Sequence, residues 1–342
     1  LFIDETDRTE PEMQLYRSEL GVLALLGSAI PFGVQAVDIE TSYPQRPLTL
    51  VVGYPPGGSA DGLARLVAKQ MADELGHKVI IDYRPGAAGN IGAEAVARTS
   101  PDGYTMYLAG RPNTIHKVMY PDVKYDFTQD LAPIGLIATA PYVMVVDKHA
   151  PAASVEDIVS LAKAYPGGLT CASSGTGTTE HLLCELLQQE TGIDLVHVPY
   201  RGSSAAFTDV MGGRVDIYIT SLSAVLPHIT AGNVRAVAMM SSQRVPALPQ
   251  VPTIGEAGLP SLALGVWYGL MAPAGTPPYV VTRLNQTINS VLLDPSLREA
   301  LTQRSYAVPS PPNTPDTLQH MIAEETERWT AVLRDRNIQA LH

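Results

Sequence analysis

Two glycine-rich segments, YPPGGSADGLAR (54–65) and YRPGAAGNIGAEAVA (83–97), each join a short apolar run to an amphipathic one. That repetition restricts the fold more than any other feature of the chain. The runs LTLVVG (48–53), VIIDY (79–83) and YTMYLA (104–109) read as buried strands, while Leu63, Leu66, Val67, Met71 and Leu75, then Ile91, Ala95 and Val96, recur at helical spacing. Strand and helix therefore alternate as βαβαβ, which makes the sheet parallel and its crossovers right-handed. Ligands of such sheets sit beyond the carboxyl ends of the strands, where both glycine segments fall. Glycine lets the backbone turn sharply and brings N–H groups close to a ligand, and the positive end of the next helix points at the same place. The expected result is an anion pocket made of backbone.

The pattern restarts after 154. SVEDIVSLAKAYP reads as a helix, and LTCAS (169–173) as a strand running into SSGTGTTEHLLCELL, a third strand-to-helix loop. Gly175 and Gly177 supply its turn, and Ser174, Thr176, Thr178 or Thr179 can cap the helix or offer hydroxyls. LVHVPYRGSSAAFTDVMGGRVDIYI and the strand RAVAMM (235–240) complete a second βαβαβ, with Tyr200, Arg201 and Gly202 turning into a helix from Ser203. Glu180 stands where a dinucleotide fingerprint wants a small residue, and no loop ends in the GK[ST] of a phosphate loop. The apolar segment LALGVWYGLMAPAGTP (262–277) precedes helical patterns over 277–294 and 316–336 with no strand between them. Those helices must pack on the first sheet, so the chain crosses back, near 141–147 and again near 265–271. The expected organisation is a leader (1–36), a first lobe from 37–143 with 266–342, and a second lobe from 144–265, with ligand between the lobes.

A chain of 342 residues exceeds one ordinary core, which favours two lobes. Its net charge of −11, without clustered Lys and Arg, disfavours nucleic acid as a partner. The run LGVLALLGSAIPFGVQA (20–36) is short for a bilayer and ends in Val34-Gln35-Ala36, a small-residue cleavage pattern, so it reads as a secretory signal although the residues before it are acidic. Export follows, with a buried helix or membrane anchor as the alternative. Cys171 falls on a strand and Cys184 on the next helix, neither in a loop, and two buried thiols are expected in preference to a disulfide. His181, Cys184 and Glu185 share a helix face but lack an HExxH pattern, and Ser203 lacks a GxSxG elbow, so no metal, cofactor or catalytic residue is expected.

Taken together, YPQRPLTLVVGYPPGGSADGLAR, RPGAAGNIGAEAVARTSPDGYT, GTGTTEHL, VPYRGSSAAFTDVMGGRVD and VPTIGEAGLP closely resemble the Bug family of periplasmic receptors, the solute-binding components of tripartite tricarboxylate transporters. The resemblance covers about residue 43 to the C-terminus. It implies an α/β type II periplasmic-binding-protein fold, a Venus flytrap of two parallel-sheet lobes joined by crossing strands. It also implies a small mono- or dicarboxylate ligand and a membrane permease as partner. Mapped onto matching positions, the first-lobe site would be Tyr54, Pro56, Gly57, Gly58 and Ser59 with Asp61 behind them, and Gly86, Ala87, Ala88 and Gly89. The second lobe would add Ser174, Thr178, Thr179, Tyr200, Arg201, Gly202 and Ser203. Tyr54 stands where many relatives have Phe, and GRPNTIHKVMY departs from the usual hydroxyl-rich pattern after the third strand. There Arg111 is read either as a bidentate clamp on a distal carboxylate or as a solvated surface arginine. Asp61 is expected to orient its loop or cap its helix more than to meet a ligand ammonium group. The same fold feeding a sensor kinase, and a secreted hydrolase of small esters, are the alternatives. A monomer is the default.

Overall fold

The computed structural model describes residues 43–338, so the expected leader lies outside the described residues. Nine strands follow in chain order: β1 (Leu48–Val52), β2 (Val79–Tyr83), β3 (Thr105–Ala109), β4 (Leu131–Asp147), β5 (Leu169–Ser173), β6 (Leu195–Pro199), β7 (Ile217–Ser221), β8 (Val234–Met240) and β9 (Gly265–Pro273). The first lobe orders them β2-β1-β3-β9-β4, and the second β6-β5-β7-β4-β8. Within each lobe the βαβ strands pair in parallel, and one strand runs against its neighbours. In the first lobe that strand is β9, and in the second it is the far half of β4.

β1 is buried on both faces except at the half-buried Thr49 and lies between two parallel partners, which is why LTLVV shows no regular alternation. The helix Ser59–Leu75 turns Leu63, Val67, Met71 and Leu75 toward this sheet and stops at Gly76, whose left-handed φ of 69° ends the last turn. In the second lobe the three parallel strands are β5, β6 and β7, and the run expected to close that unit, β8, instead pairs antiparallel with β4 at the sheet's other edge.

β4 belongs to both lobes. Its residues from Leu131 to Pro141 pair with β9, and from Tyr142 onward with β7 and β8, so the changeover falls between Pro141 and Tyr142. The chain returns just before Gly265, where the Leu264 N–H donates to the Met240 carbonyl over 3.0 Å. The helix Pro315–Asp335 then packs on β4 and on the short turn Arg111–Thr114.

Cys171 and Cys184 are joined in a disulfide, which corrects the expectation of two thiols. A strand and the helix that follows it pack face to face, and the two Cα atoms lie 6.2 Å apart, within bridging range. Position outside a loop was therefore no argument against a bond.

Candidate functional site

The carboxyl ends of the parallel strands in both lobes open on one cleft of about 550 Å³. Residues 53–55 and 85–89 form one wall, and residues 174–176 and 200–202 the other, with Tyr120 at the side. The walls meet closely. A Cβ on Gly57 would lie 2.6 Å from Ser204 Oγ, and the Tyr120 hydroxyl donates to the Thr176 carbonyl while its ring covers Gly177.

The loop after β2 holds four successive residues at positive φ: Gly86 (132°), Ala87 (46°), Ala88 (52°) and Gly89 (91°). Alanine in the left-handed region is uncommon and costs energy, so the surrounding structure must hold it there. It does so through the loop's carbonyls. Ala88 O accepts from the Tyr54 hydroxyl at 3.1 Å, Gly89 O from the Tyr107 hydroxyl at 2.9 Å, and Ala87 O from Asn90 Nδ2 at 2.7 Å. With those oxygens tied back and the Gly89 N–H donating to Gly86 O at 3.0 Å, the N–H groups of Ala87 and Ala88 are the ones such a turn can offer an anion.

Behind Tyr54 and Pro55 the cleft narrows to an inner chamber of about 50 Å³. The first turns of three helices reach it: Gly58 and Ser59 of Ser59–Leu75, Thr179 and Glu180 of Thr179–Thr191, and Ser203 of Ser203–Met211. Two of these helices start from glycine, Gly58 and Gly202, without a side-chain cap, so their first N–H groups are left for a ligand or water. Thr179 Oγ1 is buried and has no hydrogen-bond partner. Tyr142 from β4 and Tyr268 from β9 complete the wall, and the Tyr268 hydroxyl lies 2.6 Å from Ser59 Oγ. Glu180 is buried in the same wall, and its Oε2 accepts from Ser174 Oγ at 2.5 Å. Burial pushes its carboxyl up, against the lowering effect of the Ser174 hydroxyl.

Among the residues singled out from sequence, Tyr54, Ala87, Ala88, Gly89, Ser174, Tyr200, Arg201 and Gly202 line the outer cleft, and Gly58, Ser59, Thr179 and Ser203 the inner chamber. Gly57 lies at the contact with Ser204, beside a separate hollow, and Pro56 lines neither space. Asp61 points back into its own loop, accepting from the Gly57 N–H at 2.8 Å, Arg65 Nε at 2.7 Å and the Tyr83 hydroxyl at 2.5 Å. Thr178 caps its helix, accepting from the His181 N–H and donating to Gly175 O. Arg111 is neither a clamp nor a surface group. Its Nε donates to Glu325 at 2.6 Å and its Nη1 to Gly265 O at 2.6 Å, its guanidinium lies 5.4 Å from the centre of the Trp329 ring, and the side chain is 5% exposed. The group is committed to Glu325, Gly265 and Trp329, away from the cleft lining.

Tyr120, Tyr142, Glu180 and Tyr268 escaped the sequence reading as site residues. The position of Tyr142 at the strand changeover was the available signal, since a residue where the chain passes between lobes faces the cleft.

A family model described as "Tripartite tricarboxylate transporter family receptor" matches residues 63–338. Protein BugT of Bordetella pertussis is 37% identical over 317 residues, covering 92% of this chain and 97% of its own. A Rhodopseudomonas palustris protein solved with adipate superposes with a TM-score of 0.82 at 34% identity, covering 86% of this chain and 98% of its own. MatC of the same organism, solved with bound malate, gives 0.82 at 31% identity, covering 85% and 100%.

Proposed function

Because the chain belongs to the tripartite tricarboxylate transporter receptor family, we propose that it is an extracytoplasmic solute-binding protein that encloses a small carboxylate between its lobes. One observation carries this reading: three helix N-termini and the left-handed loop 86–89 open on one inter-lobe space. The ligand's carboxylate would meet backbone N–H groups from both lobes. Closing the lobes around it removes water, which strengthens each of those dipoles, and no bond in the ligand is made or broken. Adipate and malate in the two relatives support an acid of this size. The closed form is then the species that membrane permease subunits of a tripartite transporter would recognise. The reading includes export to the periplasm by the leader and action as a monomer. As part of the same proposal the lobes expected from the sequence, 37–143 with 266–342 and 144–265, meet in β4 at the changeover between Pro141 and Tyr142, two residues before the expected boundary.

The test is a thermal-shift titration of protein refolded free of ligand, with adipate, malate, benzoate and aspartate. An acid that binds only the native state raises the melting temperature, by about 2.7 kcal/mol of added stability at a hundredfold excess over Kd. A flat response to every acid would overturn the reading.

A further inference from the structure

The inner chamber contains a carboxyl group where a carboxylate ligand is expected to place its own. Glu180 is 6% exposed, and its hydrogen bond to Ser174 fixes it against the wall that Thr179 and Ser203 share. Tyr54 from the loop after β1, Tyr142 from β4 and Tyr268 from β9 line the same chamber, and Tyr218 from β7 lies within reach of its charge. His181, next on its helix, is stacked on His197, and Arg111, which acts on Tyr142, is committed to Glu325. Among the described residues, none lining the chamber carries a cation. Two negative charges in so small a space repel strongly, and one of two carboxyls that share a site keeps its proton. The helix N-termini offset one charge there, and their positive ends oppose an ammonium group.

We propose that Glu180 is a specificity-determining residue: in the liganded protein it is the neutral acid, and its O–H donates to the ligand's carboxylate, so that the cleft selects plain carboxylic acids over amino acids. The step balances simply. In the free protein Glu180 carries the one charge that the helix N-termini offset; it takes one proton from solvent as the anionic ligand enters, the resulting acid–carboxylate pair carries a single negative charge, and no covalent bond changes in the ligand. The unpartnered Thr179 Oγ1 on the same wall offers that pair a further hydroxyl. The inference rests on the carboxylate reading above.

The test is calorimetric titration of the full chain with adipate, malate, benzoate and aspartate between about pH 6.5 and 8.5, where those acids keep their charge, in buffers of different ionisation enthalpy. Uptake of up to one proton per ligand is expected, with affinity for a plain acid falling toward the limit of about tenfold per pH unit. Glu180→Gln cannot ionise and should bind the same acid with an affinity that does not vary with pH. Proton uptake by the unaltered protein is read without any variant, so the proposal stands or falls even if Glu180→Gln folds poorly. Binding without proton uptake overturns it, as does a Glu180→Gln protein that loses aspartate while keeping the plain acids, since Glu180 would then be an ionised partner for an ammonium group. If no acid binds at any pH, the carboxylate reading itself fails. If acids bind independently of pH, only the role of Glu180 does.

Discussion

Pro55 of the first lobe and Gly202 of the second are in such close contact that a Cβ on Gly202 would lie 2.4 Å from Pro55 Cγ. Gly202 also sits at φ 108°, where a side chain is strained whatever the space. Glycine here decides how far the lobes can close.

Gly202→Val should therefore weaken binding of whichever acid shifts the melting temperature. Strain of about 1–3 kcal/mol corresponds to roughly 5- to 150-fold in Kd. Gly258→Ala, at φ 81° but with nothing within 4 Å, is the control and should leave affinity unchanged. Calorimetric Kd values decide between them, and equal effects would place the loss in the backbone and not in closure.

Arg111→Ala should cost stability, about 3 kcal/mol, because Glu325 would be left with its charge largely buried and unpaired, its side chain being 15% exposed. The order of preference among acids should not change. Denaturant titration with a ligand panel separates the two effects, and a selective loss of diacids would restore the clamp.

Reduction of the Cys171–Cys184 bond, or its replacement by two alanines, should lower stability by about 3 kcal/mol for a loop this short. Unfolding curves with and without reductant measure it. Coincident curves would deny the bond a stabilising role.

His181 and His197 stack with their ring centres 4.2 Å apart, and burial takes both down to about 4. The unfolded chain binds these protons near pH 6.5 and the folded one near pH 4, so the unfolded state holds more of them in between. The stability these histidines contribute is full above about pH 6.5 and falls as the pH drops toward 4. Carboxyls such as Asp126 and Glu256, held near 2 with help from Lys117 and Arg244, lose their contribution lower down. Melting temperature against pH should slope over the histidine window, and His197→Gln should flatten that slope.

The sequence disclosed what depends on near neighbours. LTLVV declared a buried parallel strand by being apolar at all but Thr49, and Gly57, Gly86 and Gly89 marked the loops because the left-handed turns need them where they stand. Contacts between distant residues were out of reach. Arg111 looks like a loop arginine until Glu325 and Trp329 close over it from a helix more than two hundred positions away. Glu180 looked like a failed fingerprint because its significance comes from Tyr54, Tyr142 and Tyr268, brought to the same chamber from a loop and two strands. Cys171 and Cys184 were misjudged for a related reason: helix phase relative to the sheet decides whether two such residues face each other, and spacing alone does not fix that phase.

The exchange of strands between the lobes also bears on the order in which a growing chain can complete its parts. On the side away from β1, the native neighbour of β3 is β9, which follows the entire second lobe in sequence. As the chain emerges from its amino end, the β3 edge waits with unpaired N–H and C=O groups until residue 273 has appeared, and such an edge is a template for pairing with other chains. A polypeptide cut short after the second lobe would carry both glycine loops of the first lobe and still be unable to finish the sheet that holds them, and aggregation of that fragment is the expected outcome.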